Sequence, residues 1–161
     1  MDIQKVKRKI LQCIMNIYDN DSDLLTRDNY EVTISAKLSQ YLYMAFREYD
    51  VDCEYNKHID SKKCLNTNEI RPDIIIHKRG NDENNLVYIE IKKQTNTESR
   101  DNDISKLEEN TNDQGQYKYR LGVFIDFSSE KTETKIKYFE HGEKITEFSV
   151  SNVFESLDQY C

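Results

Sequence analysis

Two β-branched runs limit what this chain can fold into more than any other feature. Ile70-Arg71-Pro72-Asp73-Ile74-Ile75-Ile76-His77 leads, through a turn-forming stretch from Lys78 to Asn85 that contains Gly80, into Leu86-Val87-Tyr88-Ile89-Glu90-Ile91-Lys92. Apolar runs of this length around a Gly/Asn/Asp turn predict an antiparallel hairpin. Such a hairpin is not stable alone and needs further strands and helices to cover it.

The rest of the pattern supplies that cover. Ile3, Val6, Ile10, Cys13, Ile14 and Ile17 recur at helical spacing from Asp2 to about Asp19, with a basic opposite face. The cluster Asp19-Asn20-Asp21-Ser22-Asp23 ends that helix, because short polar side chains compete for the backbone. A second helix is expected from about Tyr30 to Tyr49, with Leu38, Leu42, Ala45 and Phe46 inward. Asp28-Asn29-Tyr30-Glu31 has the form of a capping box at its start. Val51, Cys53 and Tyr55 alternate with polar residues as a half-buried strand, and Lys57 to Glu69 reads as a loop. After the hairpin, a polar stretch leads to a short helix from Asp103 to about Asn110, carrying Ile104 and Leu107. Leu121 to Phe127 is then a strand covered on both faces. Strand, helix, strand in this order implies a right-handed parallel crossover. Lys135–Phe139 and Lys144–Phe148 form a late hairpin around His141-Gly142, and Ser151 to Gln159 a terminal helix. The expected class is α/β, with a core order αβββαβ and a mixed central sheet flanked by helices. At 161 residues it is expected to be one domain, with its core at about 28–128.

Composition closes off several classes. Disorder is excluded by 11% aromatic residues and by apolar runs along the whole length. No apolar stretch approaches the ~20 residues that span a bilayer, and MDIQKVKRKI has no signal-peptide apolar core. Cys13, Cys53, Cys64 and Cys161 lack C-x-x-C spacing, so a reducing cytoplasmic setting is expected, with a Cys53–Cys64 bridge as the open alternative. His58 and His141 stand far apart in presumed loops, which disfavours zinc. The net charge of −7 argues against nucleic acid. It is a weak objection, because a metal-dependent nuclease concentrates carboxylates in its site. Basic spots also occur at Lys5, Lys7, Arg8 and Lys9, at Lys57, Lys62 and Lys63, and at Lys92 and Lys93; each also reads as a solvated face.

Three ionisable residues occupy strand positions where apolar ones are expected. Asp73 opens a run of isoleucines, and Glu90 and Lys92 interrupt the strand that pairs with it. The period of two places Glu90 and Lys92 on one face, ~6.6 Å apart, and Asp73 joins them if the register brings it opposite. Neighbouring carboxylates repel, and one pKa must rise unless something neutralises the pair. Mg²⁺, which takes one or two carboxylates with waters and substrate phosphate, meets that need. Lys92 then sets an ammonium beside the reacting phosphate, and the group reads as a site for phosphodiester hydrolysis.

Pro72-Asp73, sixteen intervening residues and Glu90-Ile91-Lys92 resemble the signature of the PD-(D/E)xK nuclease superfamily, with its restriction-endonuclease-like fold. The resemblance extends over the order of elements from about Glu31 to Phe127. It implies a Mg²⁺-dependent nuclease, with Mn²⁺ as a substitute, in which Asp73, Glu90 and the Ile91 carbonyl bind metal and Lys92 assists the attacking water. It also implies a glutamate from the preceding helix, for which Glu31 stands as the candidate and Glu48 as a weaker one. Glu31 equally fits a capping partner of Asp28. DNA is the expected partner, in a homodimer or with a subunit that supplies specificity. A catalytically silent binding module of the same fold is the alternative. His77 reads as a wet strand-end histidine and Asp126 as a satisfied structural carboxylate. Lys93 and Gln94 are read either as phosphate contacts or as solvated, and Lys106, Lys118 and Arg120 draw only passing interest.

Overall fold

The computed structural model describes residues 1–26, 30–55, 57–58, 61–62, 64–65, 68–69, 71–80 and 82–150. Its helices are α1 (Ile3–Asp21), α2 (Asp23–Thr26), α3 (Glu31–Ala45) and α4 (Asp101–Thr111). The main sheet has six strands: β1 (Asp50–Cys53), β2 (Ile74–His77), β3 (Val87–Lys93), β4 (Leu121–Phe127), β5 (Lys135–Glu140) and β6 (Glu143–Ser149). They lie side by side in chain order. All neighbouring pairs are antiparallel except β3 and β4, which run parallel and are joined through α4.

Alternation along the strands sorts their side chains into two cores. Val87, Ile89 and Ile91 of β3 and Leu121, Val123, Ile125 and Phe127 of β4 pack with α1 and α3. Tyr88, Phe124 and Phe139 point to the other face, with Ile75 of β2, where Leu107 of α4 and Tyr117 and Tyr119 cover them. Asp73, Glu90, Lys92 and Asp126 are in phase with this second face, so α4 roofs the polar end of the same layer. Leu86, although in phase with Glu90, precedes the strand and packs into the first core.

Several details depart from expectation. Lys57 to Glu69 is not simply a loop: Lys57–His58 pairs with Ser61–Lys62, and Cys64–Leu65 with Asn68–Glu69, as two short ribbons. α3 ends at Ala45, four residues early, where the Phe46 N–H closes the last turn on the Leu42 carbonyl. Its N-cap is Tyr30 with no side-chain cap bond, so Glu31 is the first helical residue rather than the third of a capping box; Asp28 lies outside the described residues, as does the expected helix from Ser151 to Gln159. Cys13 and Cys53 carry free thiols. Among the described residues no helix is long and apolar enough to cross a membrane.

Candidate active site

The Asp73 carboxylate sits just before β2, where that strand stops pairing with β3. The last ladder partners are Ile74 and Ile89. Two residues further along β3, the Ile91 N–H finds no strand opposite and donates instead to Asp73 Oδ2 at 2.6 Å. A strand residue turns its N–H and C=O to the same side, so the Ile91 carbonyl also faces Asp73.

Glu90 is only 3% exposed. Burial pushes its pKa well above the carboxylate range, and the charge on Asp73 is the next largest cause. Burial likewise pushes Asp73 up to about 6, against the pull of the Ile91 N–H and of Lys106 and Lys92. The register that pairs Ile74 with Ile89 sets Asp73 opposite Glu90, and the Ile91 N–H holds it there, so the two acids share one desolvated patch on one face of the sheet.

Lys92 completes the expected trio on this face. Its ammonium lies 3.5 Å from Glu31 Oε2, 3.6 Å from Glu98 and 3.6 Å from Asp103 Oδ2. Burial would lower its pKa, but Asp103, Glu31 and Glu98 outweigh burial and hold it above the ordinary lysine value. Glu31 reaches the group from the start of α3, and its Oε1 accepts the Lys93 N–H at 3.0 Å and the Asn96 amide at 2.9 Å. Those bonds tie the helix to the end of β3, in place of the cap role that Asp28 would have needed. Glu48 is exposed in the turn after α3 and takes no part.

Two residues of α4 join the site: Lys106, of only passing interest in the sequence, and Asp103, which the sequence does not single out. Lys106 Nζ is 3.3 Å from both oxygens of Glu90 and 3.0 Å from Asp103 Oδ1. Asp103, 5% exposed, thus lies between Lys92 and Lys106. The available signal was their i, i+3 spacing on the Leu107 side of the helix. The Tyr88 hydroxyl is buried near Glu90; burial, then the Glu90 charge, pushes it far above the tyrosine range.

Other expectations resolve individually. Asp126 is paired with Arg100 at 3.2 Å, the satisfied carboxylate expected of it. His77 is not wet: it is 4% exposed, its Nε2 lies 2.9 Å from Asp52 Oδ2, and the Tyr55 ring packs on it at 4.9 Å. Lys93 is buried rather than solvated, and the Gln94 amide donates to the Glu133 carbonyl.

The donor set at Asp73 and Glu90 fits a hard divalent cation: two carboxylates, one with an oxygen outside the Ile91 bond, and a carbonyl turned toward them. Among the described residues no three His, Cys, Asp or Glu side chains form a ready cage, and Mg²⁺ does not require one, since it keeps several waters.

The sequence matches no family model and no curated protein. Among solved structures, the chain is similar to one in a cryo-electron-microscopy structure of a DrdV–DNA complex, with a TM-score of 0.53 and 18% identity. The match covers 97% of this chain and 13% of that one, so the chain corresponds to a small part of a much longer polypeptide. At this identity the likeness is one of fold.

Proposed function

We propose that this chain is a Mg²⁺-dependent nuclease of the restriction-endonuclease-like fold that hydrolyses phosphodiester bonds of DNA. The observation that carries the reading is the convergence of Asp73 and Glu90 in one buried patch beside Lys92, at the end of a paired β2 and β3. Fold likeness to a chain from a DNA complex supports it. Asp73, Glu90 and the Ile91 carbonyl would hold the ion, which when bound supplies Lewis-acid polarisation of a phosphate oxygen. Lys92 contributes a fixed ammonium that holds the attacking water and offsets charge developing on the phosphate. Glu31 is a positioning residue: anchored by the Lys93 N–H and Asn96, it sets where the Lys92 ammonium sits. One site per chain cuts one strand at a time, so cleavage of both strands calls for a second copy.

A specific observation also favours the silent binding module. Lys106 already neutralises Glu90, and an ion pair of this kind holds the fold together without metal. Incubating the protein with supercoiled plasmid, linear duplex, single-stranded DNA and RNA, with and without Mn²⁺, separates the two. The nuclease reading expects cation-dependent nicking of plasmid that Glu90→Ala and Lys92→Ala abolish. Equal cleavage by the Lys92 variant, or none by the wild type together with no change of melting temperature in Mn²⁺, hands the site to the silent module.

A further inference from the structure

Lys106 holds an unusual place for a helix lysine. Its stem comes from α4, yet its ammonium is aimed down onto the sheet, equidistant at 3.3 Å from both oxygens of the almost fully buried Glu90. A carboxylate this dry is tolerable only with an opposite charge against it. The same ammonium is 3.0 Å from Asp103 Oδ1, one turn earlier on its own helix. Asp103 is in turn steadied through its other oxygen by Lys92. Lys106 therefore has two partners, of which one travels with it on α4 and the other belongs to the sheet.

We propose that Lys106 is the resident counter-ion of Glu90, and that it and a divalent cation compete for that carboxylate. Loading the site moves the Lys106 ammonium off Glu90 and leaves it on Asp103 alone. Two cations cannot both face the two Glu90 oxygens at contact distance without repelling one another. The i, i+3 pair with Asp103, already formed at 3.0 Å, keeps a partner against the displaced ammonium, so displacement leaves no buried charge unpaired. The inference rests on the reading of Asp73 and Glu90 as a cation site, and concerns what occupies that site before the cation does.

The test is a calorimetric titration of Mn²⁺ into the full chain without nucleic acid, for wild type, Lys106→Met and Lys106→Arg. With the competitor removed, Lys106→Met is expected to bind Mn²⁺ on the order of tenfold more tightly, a usual size for coupled equilibria. Lys106→Arg, which keeps the charge, is expected to stay close to wild type. Should Lys106→Met fail to fold, the wild type answers alone: the side-chain ammonium signal of ¹⁵N-labelled Lys106 is expected to shift in step with Mg²⁺ binding. Unchanged or weaker Mn²⁺ affinity in folded Lys106→Met, or a Lys106 signal indifferent to saturating Mg²⁺, overturns the proposal and leaves the nuclease reading standing. Tighter binding by Lys106→Met without plasmid cleavage by the wild type does the reverse. No binding by any of the three overturns both.

Discussion

Asp73 is the residue where burial and charge conflict most directly. With its pKa pushed up to about 6 by burial, against ~3.9 for an unfolded aspartate, it holds its proton more tightly in the folded chain. The sign follows from linkage: the contribution to stability is fully present below the unfolded value and is lost as pH rises through the folded one. The metal-free protein is thus expected to lose roughly 2–3 kcal/mol from this group between pH 4 and pH 7. Urea unfolding of wild type and Asp73→Asn across that range checks it, and parallel profiles for the two proteins would contradict it. Asp52 works in the opposite sense. Burial would raise its pKa, but hydrogen bonds from His77 and Arg79 prevail and hold it below the carboxylate range. It stabilises the fold above the unfolded value and ceases to do so as pH falls through its folded one. Asp52→Asn is therefore expected to flatten the acid limb below about pH 4, read from the same unfolding curves.

At the scale of elements, the site depends on how closely α4 lies on the sheet, and Gly122 sets that distance. A Cβ there would stand 3.0 Å from Phe139 Cβ, 3.0 Å from Thr111 Cγ2 and 3.1 Å from Leu107 Cδ2. Gly122→Ala is expected to cost about 1–3 kcal/mol by overpacking and, by lifting α4, to weaken Mn²⁺-dependent stabilisation; an unchanged melting temperature would count against this packing. Arg100 fixes the segment that leads into α4. It donates to the carbonyls of Asn96, Glu98 and Lys93 and pairs with Asp126. Arg100→Ala is expected to speed amide exchange over residues 94–100 while leaving β3 protected. These contacts mark the limit of what was legible beforehand. Asp73, Glu90 and Lys92 stand out because an apolar strand with a period of two makes every charge conspicuous. In α4 nearly every turn carries a charge, and only docking decides that Asp103 and Lys106 face inward while Glu108 and Glu109 do not head for the site. His77 is buried for a related reason: its partners are Asp52 on β1 and the Tyr55 ring, which strand register supplies and local pattern does not.

For the molecule as a whole, the nuclease reading requires a chain of net charge −7 to hold a polyanion. Its cations near the site are already engaged: Lys92 with Glu31, Glu98 and Asp103, Lys106 with Glu90 and Asp103, and Arg100 with Asp126. On the basic face of α1, Lys7 pairs with Glu140 at 2.6 Å and Lys9 donates to the Ala45 carbonyl. A phosphate arriving at the metal-free site meets carboxylates whose charge these lysines only partly cancel. A divalent cation held by Asp73 and Glu90 would change that balance locally, by adding two positive charges and, under the competition proposed above, by leaving Lys106 to the remaining acids. Duplex DNA is accordingly expected to bind weakly in EDTA and at least about tenfold more tightly in Ca²⁺, an effect of ordinary coupling size. Because the described lysines beside the site are already paired with carboxylates, the log–log dependence of affinity on salt is expected to be shallow, with a slope of roughly −2 to −3. Fluorescence anisotropy of a labelled duplex measures both quantities. Tight binding in EDTA with a steep slope would place the nucleic-acid contact on a basic surface remote from Asp73, and the acidic patch would lose its claim to the phosphate.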